Sequence, residues 1–221
     1  MLERVTHLVL FYPLLLFSLS FHEAAHAWSA DKLGDPTARM LGRITLNPLP
    51  HMDFIGTFLL PVIAILSGTP MIGWGKPVPV SVRNLKRDRQ DFLWIAAAGP
   101  ASNFCLAILF SLLLRGLLHI APNPGAFSSQ GATWSHDIFS VIFGISYMGV
   151  VLNVALAVFN LLPIFPLDGG NILRGLLPAR LVPQFDQSMR YGMFLLLGLF
   201  FFGFLKYLFI PIDAISTLLL P

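Results

Sequence analysis

Long apolar stretches alternate with short polar ones along the chain. The first apolar stretch covers about residues 5–31, and Gly34 and Pro36 follow it as helix-stopping residues. It is apolar up to Phe21 and then carries a polar cluster before Ala27. This stretch predicts a helix long enough to cross a bilayer, which takes about 20 residues.

Three later stretches have similar character. Residues 92–114 and 137–162 each predict a transmembrane helix. Residues 191–205 begin a last apolar region that Lys206, Pro211 and Asp213 interrupt. We interpret this region as one span followed by a short terminal or interfacial helix.

The segments between these spans are less regular. Residues 34–53 are rich in turn formers, and a short strand is predicted at Arg43-Ile44-Thr45-Leu46, with another extended stretch at 78–82. Residues 54–72 are apolar but contain Pro61, Gly68 and Pro70, so their unbroken length is marginal for a crossing. A re-entrant hairpin is favoured there.

Composition agrees with a membrane environment. The chain of 221 residues is 56% hydrophobic and 11% charged, whereas soluble domains average about 45–50% and about 25%. We therefore predict an all-α polytopic membrane protein with about four to six transmembrane segments, one re-entrant or hairpin segment and short β elements near the active site. One integral-membrane domain is expected over 1–221, with its core at about 5–170 and C-terminal helices at 171–221.

Basic residues predict the orientation of the chain in the bilayer. Loops 73–91 and 171–190 carry five and three Lys or Arg residues, and loop 121–136 carries none. Cytoplasmic loops are enriched in these residues, so the first two loops are predicted inside and the third outside. The net charge of +3 is small and lies in such loops, so nucleic-acid binding is not expected.

The polar cluster in the first span has the pattern His22-Glu23-Ala24-Ala25-His26. Residues four apart share one face of a helix, so His22 and His26 can hold one Zn²⁺ together. A bound zinc ion acidifies a coordinated water, and Glu23 lies beside it as a base that can later protonate the leaving amine. Ionisable groups inside spans are costly and usually mark a functional site.

Catalytic zinc normally has three protein ligands, and Asp168 is the preferred third. It follows the span 137–162 on the predicted cytoplasmic side, after the helix breakers Pro163 and Pro166, and Gly169-Gly170 is expected to allow a sharp turn behind it. The remaining acidic and histidine candidates on that side lie in loops and rank lower: Asp35, His51 and Asp53.

Three asparagines lie within the predicted spans. Asn160 could donate to the scissile carbonyl oxygen as charge develops on it, or could form a hydrogen bond between helices. Asn103 and Asn153 are more typical of helix–helix hydrogen bonds, although Asn103 could also orient a metal ligand.

The sequence resembles the site-2 protease family of intramembrane zinc metalloproteases, in its minimal prokaryotic form without a PDZ domain. The matching segments are FHEAAHAWSADKLGD at 21–35, AAGPASNF at 97–104 and NLLPIFPLDGG at 160–170. The resemblance implies an integral protein of a prokaryotic cell membrane, with its active site toward the cytoplasm. It also implies substrates that are themselves transmembrane proteins.

Residue roles follow from the same resemblance. It implies that His22, His26 and Asp168 bind one zinc ion, that Glu23 is the catalytic carboxylate, and that Asn160 helps to hold the substrate or polarise its carbonyl. Two other functions use the same residues: a metal or proton transporter with these groups as a relay, and an inactive scaffold. A transporter is expected to show matching broken helices in two halves, and no such internal symmetry is visible in the sequence.

Overall fold

The computed structural model describes residues 2–67, 74–120 and 138–221, and their regular structure is helical. The α-helices are α1 Leu2–Leu33, α2 Thr37–Met40, α3 Leu60–Ser67, α4 Asp88–Ile120, α5 Ile138–Asn160, α6 Asp168–Leu176, α7 Val182–Met189, α8 Gly192–Phe201 and α9 Phe209–Leu219. The 3₁₀ turns are Leu49–His51, Val82–Asn84, Ala179–Leu181 and Phe204–Leu208, and Phe54–Leu59 is a π-helix. The predicted outer loop, 121–136, lies outside the described residues.

Helices α1, α4 and α5 form the centre of the molecule. Helix α4 packs against both α1 and α5, and α9 packs against α5. Leu14 and Leu15 of α1 meet Leu152 of α5 in one buried cluster, while Val150 and Val154 join a second one with α4 and α9. Because these contacts are apolar and close, they fix the depth at which polar side chains of the three helices face one another.

Two of the described helices are long and apolar enough to cross a membrane, Asp88–Ile120 and Val141–Asn160. A third crossing results if α8 and the segment Phe204–Leu219 count as one span, although these are bent by 89° relative to each other. Large apolar side chains on α4, such as Leu109 and Leu112, are exposed on the outside of the molecule. The chain is therefore an integral membrane protein.

The break in the C-terminal region lies at Gly203, not at Lys206 or Pro211 as the sequence suggested. Gly203 has a φ of 71°, a left-handed conformation that ends a helix and favours glycine. The interruption itself was correctly predicted.

Residues 54–67 form the π-helix followed by α3. These 14 residues are about 21 Å long at 1.5 Å per residue, and the hydrocarbon core of a bilayer is about 30 Å thick. The remainder of the predicted hairpin segment, 68–72, lies outside the described residues.

The short strand predicted at Arg43–Leu46 does not form, and the described residues contain no strand. Local hydrogen bonds replace sheet pairing: Asn47 N–H donates to Thr45 Oγ1, and Leu49 N–H donates to Asn47 Oδ1. Such side-chain bonds to the nearby backbone compete with strand ladders. The extended stretch predicted at 78–82 has no regular secondary structure over 78–81; Ser81 has extended dihedral angles, and Val82 begins a 3₁₀ turn.

Candidate metal centre

The HEAAH sequence lies within the last three turns of α1. His22 and His26 are one turn apart and buried, with exposed fractions of 5% and 8%. Their Nε2 atoms are 3.0 Å apart. The helical spacing predicted from the sequence thus brings two imidazole nitrogens to one point.

Asp168 lies far from α1 in the sequence, but its carboxylate is close to the same two imidazole nitrogens. Helix α5 ends at Asn160, and residues 161–167 form a tight irregular turn that includes a cis Phe165–Pro166 peptide bond. Asp168 then begins α6, with Oδ2 at 3.1 Å from His22 Nε2 and Oδ1 at 3.3 Å from His26 Nε2. The ligand atoms of the three side chains lie within 4.8 Å of one another.

Position 169 requires glycine because there is no room for a side chain. The sequence suggested a different reason, a sharp turn of the backbone. Its φ is not positive, but a Cβ at this position would collide with the Leu161 and Leu162 carbonyl oxygens. Gly170 likewise faces the Phe165 backbone. The two glycines allow the start of α6 to pack against the preceding turn and so hold Asp168 beside α1.

The second nitrogen of each imidazole has its own partner on α4. His22 Nδ1 is 2.6 Å from Asn103 Oδ1, and His26 Nδ1 is 2.6 Å from the Ile95 carbonyl oxygen. A carbonyl oxygen only accepts, so both Nδ1 atoms carry the proton and both Nε2 atoms present lone pairs. Partners of this kind fix the tautomer and ring orientation of metal-binding histidines.

Asn103 is held by a buried polar network between three helices. Its Nδ2 donates to Asn153 Oδ1 at 2.9 Å and to the Ser18 carbonyl oxygen at 3.4 Å. Asn153 Nδ2 in turn donates to Ser18 Oγ at 3.1 Å. Both asparagines are fully buried. Asn103 thus does what both sequence interpretations foresaw, joining helices and orienting His22.

Gly99 creates the space in which the two imidazoles lie. A Cβ at this position of α4 would collide with His26 Nε2 and with ring atoms of His22. The sequence analysis used Gly99 only as part of the AAGPASNF motif and missed this role. The available signal was a glycine inside a predicted membrane-spanning helix.

The donor set fits a zinc ion. Two imidazole nitrogens and a carboxylate are typical zinc ligands, and bonds of about 2.0–2.1 Å in tetrahedral geometry separate ligand atoms by about 3.3 Å. The observed separations of 3.0, 3.1 and 3.3 Å are close to that value. Asp168 Oδ2 is buried without a hydrogen-bond partner, and a cation satisfies all these lone pairs at once.

Glu23 is half-buried beside this cluster. Its Oε2 accepts a hydrogen bond of 3.2 Å from the Val78 N–H, which belongs to the irregular segment 74–81. Sequence analysis gave no indication that this segment reaches the site, because the contact joins positions 55 residues apart.

The other candidates are used elsewhere. Asn160 Nδ2 donates to Leu156 O at 2.9 Å within its own helix. Asp35 accepts hydrogen bonds from Thr37, Ser81 and Asn84. His51 Nε2 lies 2.9 Å from Thr45 O, and Asp53 caps the π-helix by accepting from Ile55 and Gly56. The three lower-ranked ligand candidates thus have structural partners instead.

Comparison with known proteins identifies the family. The model of peptidase family M50 matches residues 10–201. A Bacillus subtilis protein named "Putative zinc metalloprotease YwhC" is 37% identical over 201 residues, covering 86% of this chain and 84% of the relative. "Putative zinc metalloprotease Rip2" of Mycolicibacterium smegmatis is 33% identical over 174 residues, covering 79% of this chain and 58% of the relative. No solved structure matches the chain.

The family resemblance that the three motifs indicated is thus confirmed, and the match extends over most of the chain. The chain belongs to peptidase family M50, the site-2 protease family, and is a zinc metalloprotease.

Proposed function

We propose that this protein cleaves peptide bonds in or near the transmembrane segments of other membrane proteins, using one zinc ion held by His22, His26 and Asp168. The convergence of two imidazole Nε2 atoms and one carboxylate within a buried site supports the metal assignment. The exposed apolar surface of α4, the helix that carries the partners of both histidines, supports a site reached from within the membrane.

Glu23 is proposed as the general base and acid. When bound, zinc supplies Lewis-acid chemistry, which acidifies water and polarises a carbonyl. Glu23 accepts the proton of the attacking water and passes it to the amine nitrogen that leaves when the peptide bond breaks. Its position next to His22 and its half-buried carboxylate support this role.

Asn160 is proposed to donate to the scissile carbonyl oxygen. An amide group has two N–H donors, and the bond to Leu156 O uses one of them. The second can bind an oxygen on which negative charge develops during the reaction. Asn160 lies at the end of α5, eight residues before Asp168.

The bilayer arrangement is proposed from charge. The whole chain forms one domain with four to six membrane segments in a prokaryotic cell membrane, and the metal centre lies toward the cytoplasm. Trp28 is exposed close to the metal centre, and the Lys32 ammonium group lies 5.9 Å from the centre of its ring. Trp and Lys side chains are both enriched at the cytoplasmic membrane interface.

The test combines zinc quantification with cleavage of model transmembrane peptides by the protein purified in detergent. Glu23→Gln is expected to retain zinc and to lose cleavage by a factor of about 100 or more, since removal of a general base typically costs 10²–10⁴. Asp168→Ala is expected to lose zinc. Asp213→Ala, an exposed carboxylate on α9, is the matched control and is expected to change neither quantity.

Two outcomes contradict this proposal. Cleavage by Glu23→Gln at the wild-type rate removes the assigned base. Wild-type zinc content in Asp168→Ala removes the assigned ligand. A protein that binds zinc but cleaves no transmembrane peptide, and transports zinc or protons in vesicles, has the transporter function instead.

A further inference from the structure

The segment Trp74-Gly75-Lys76-Pro77-Val78-Pro79-Val80-Ser81 has no regular secondary structure and passes beside Glu23, where the Val78 N–H donates to Oε2. Proline fixes its own φ near −65° and biases the preceding residue toward extended conformations. Pro77 and Pro79 therefore restrict Lys76 and Val78 as well as themselves. Alternating proline makes this stretch stiff without any sheet pairing.

The same prolines select one hydrogen-bond donor. Proline has no backbone N–H, so Val78 is the only donor between residues 77 and 79. That N–H is the one that donates to Glu23 Oε2. A hydrogen bond to a charged carboxylate is among the stronger ones in proteins, so it fixes the orientation of the Glu23 side chain.

Gly75 passes close to the other carboxylate oxygen of Glu23. A Cβ on Gly75 would lie 3.4 Å from Glu23 Oε1 and 3.4 Å from the His51 carbonyl oxygen, which is ordinary van der Waals contact. The segment thus lies along the Glu23 carboxylate, with a hydrogen bond to Oε2 and the backbone of Gly75 beside Oε1.

Arg43 fastens this segment to the loop before it. Its side chain is buried, with 5% exposed, and its guanidinium donates from Nη1 to the Pro50 carbonyl and from Nη2 to the carbonyls of Lys76 and Pro77, the last at 2.9 Å. The planar fork of arginine suits several acceptors at once. Lys76 N–H also donates to His51 O at 2.8 Å.

The Pro77 carbonyl, which accepts a hydrogen bond from Arg43, belongs to the residue immediately before Val78. We propose that Arg43 is a positioning residue for Glu23: it holds residues 76–77 in place, and the Val78 N–H thereby orients the Glu23 carboxylate. This inference rests on the proposed role of Glu23. It predicts that loss of Arg43 disturbs Glu23 and leaves the three zinc-binding side chains in place, because Arg43 contacts none of them in the described hydrogen bonds.

Hydrogen exchange of the peptide covering residues 74–82 tests the proposal without relying on activity. Between residues 76 and 79 only Lys76 and Val78 have amide protons, so shorter overlapping fragments of this peptide separate the two sites from each other and from the remaining amides. Arg43→Ala is expected to speed exchange at both by about tenfold or more, because the hydrogen bonds that hold them open more often. Glu23→Ala is expected to speed exchange at Val78 alone.

Matched variants separate positioning from folding. Arg39→Ala removes an exposed arginine of the nearby helix α2, paired with Asp31 at 3.2 Å, and is expected to leave exchange, zinc content and cleavage unchanged. Arg43→Lys keeps the charge but cannot reach the Pro50 and Lys76 carbonyls together, so intermediate exchange is expected. If Arg43→Ala does not accumulate, Arg43→Lys decides the question by the same measurement.

Kinetics complete the test. Arg43→Ala is expected to lower kcat by about tenfold to a hundredfold with zinc content retained, since small displacements of a catalytic group can cost up to about 10² in rate. Unchanged Val78 exchange in Arg43→Ala and Arg43→Lys overturns the proposal. So does faster exchange with wild-type kcat. Either result leaves the assignment of Glu23 as the base standing, because Glu23→Gln tests that separately.

Discussion

At the scale of single residues, the metal centre depends on a missing side chain as much as on those present. Gly99 lets α4 pass so close to α1 that a Cβ would collide with both imidazoles. The backbone approach also allows Ile95 and Asn103, one turn on either side, to reach the two Nδ1 atoms. By allowing α4 to approach α1 closely, Gly99 therefore influences the orientation of His22 and His26, the proposed zinc ligands.

Gly99→Ala is expected to displace His22 and His26 and to lower zinc affinity by about tenfold to a hundredfold, the usual effect of disturbing the groups that orient metal ligands. Zinc binding measured by competition with a chelating dye checks this. Gly116→Ala is the control, because Gly116 lies on the same helix and a Cβ there would meet no atom within 4 Å. Equal zinc affinity in Gly99→Ala and wild-type protein contradicts the argument.

The residues of the centre differ in how far the sequence predicted their positions. His22 and His26 follow from helical spacing alone, and Asp168 from the charge of the loops, which placed it on the same side of the membrane. Gly99 and the Val78 N–H could not be found this way, because their importance comes from contacts between distant parts of the chain. Their roles depend on the distance between helices and on the path of a loop, and neither leaves a periodic pattern.

At the scale of elements, Asp35 joins the end of α1 to residues 81–84, at the end of the segment that contacts Glu23. Its buried carboxylate accepts from Thr37, from Ser81 N–H at 2.6 Å and from Asn84 Nδ2 at 2.8 Å. Burial raises the pKa of the Asp35 carboxyl, but hydrogen bonds from Thr37, Asn84 and Ser81 outweigh burial and keep that pKa below its ordinary value. The charged form thus fastens 81–84 to α1.

Asp35→Asn is expected to lower stability at pH 7 by about 2 kcal/mol, because the amide nitrogen of asparagine faces donors and leaves buried groups unpaired. A carboxyl whose pKa is depressed by folding stabilises above its unfolded pKa and loses that contribution as pH falls through the lower folded value. The difference from wild type should therefore shrink below about pH 4. Thermal unfolding of the metal-free protein in detergent, at pH 7 and at pH 3.5, measures it.

Asp213→Asn serves as the control, since Asp213 is exposed on α9 and its neutralisation should change stability little at either pH. A constant difference in stability between wild type and Asp35→Asn across this pH range would contradict the stabilising role of the charged Asp35 carboxylate. The sequence showed Asp35 only as an acidic loop residue, and its function as a clasp depends on a partner segment about 46 residues away.

Irregular elements were predicted less well than helices, for a physical reason. The spans follow from apolar length: α1 and α5 lie close to their predicted bounds, whereas α4 extends beyond the predicted 92–114 to Asp88 and Ile120. The predicted strand at Arg43–Leu46 failed because Arg43 turns inward to carbonyl groups and Thr45 and Asn47 bond locally. A β-branched pattern gives no information on such competing bonds.

At the scale of the whole molecule, membrane orientation determines which compartment reaches the metal centre. The positive-inside rule predicts residues 74–91 and 171–190 on the cytoplasmic side, with 121–136 opposite. The segment 74–81, within the first of these loops, contacts Glu23, and Asp168 lies shortly before the second basic loop. Because both basic loops connect to residues of the metal centre, the metal centre is expected on the same side of the membrane as these loops.

Thiol labelling of single-cysteine proteins tests this orientation, since Cys105 is the only native cysteine. In a Cys105→Ala background, Val82→Cys and Gln187→Cys change no charge and replace exposed side chains. Both are expected to react with a membrane-impermeant reagent only after the cells are opened, whereas Gln130→Cys should react in intact cells. Retained zinc content serves as the control for folding. Labelling of Val82→Cys in intact cells would place the metal centre on the outer side and reverse the proposed cytoplasmic access.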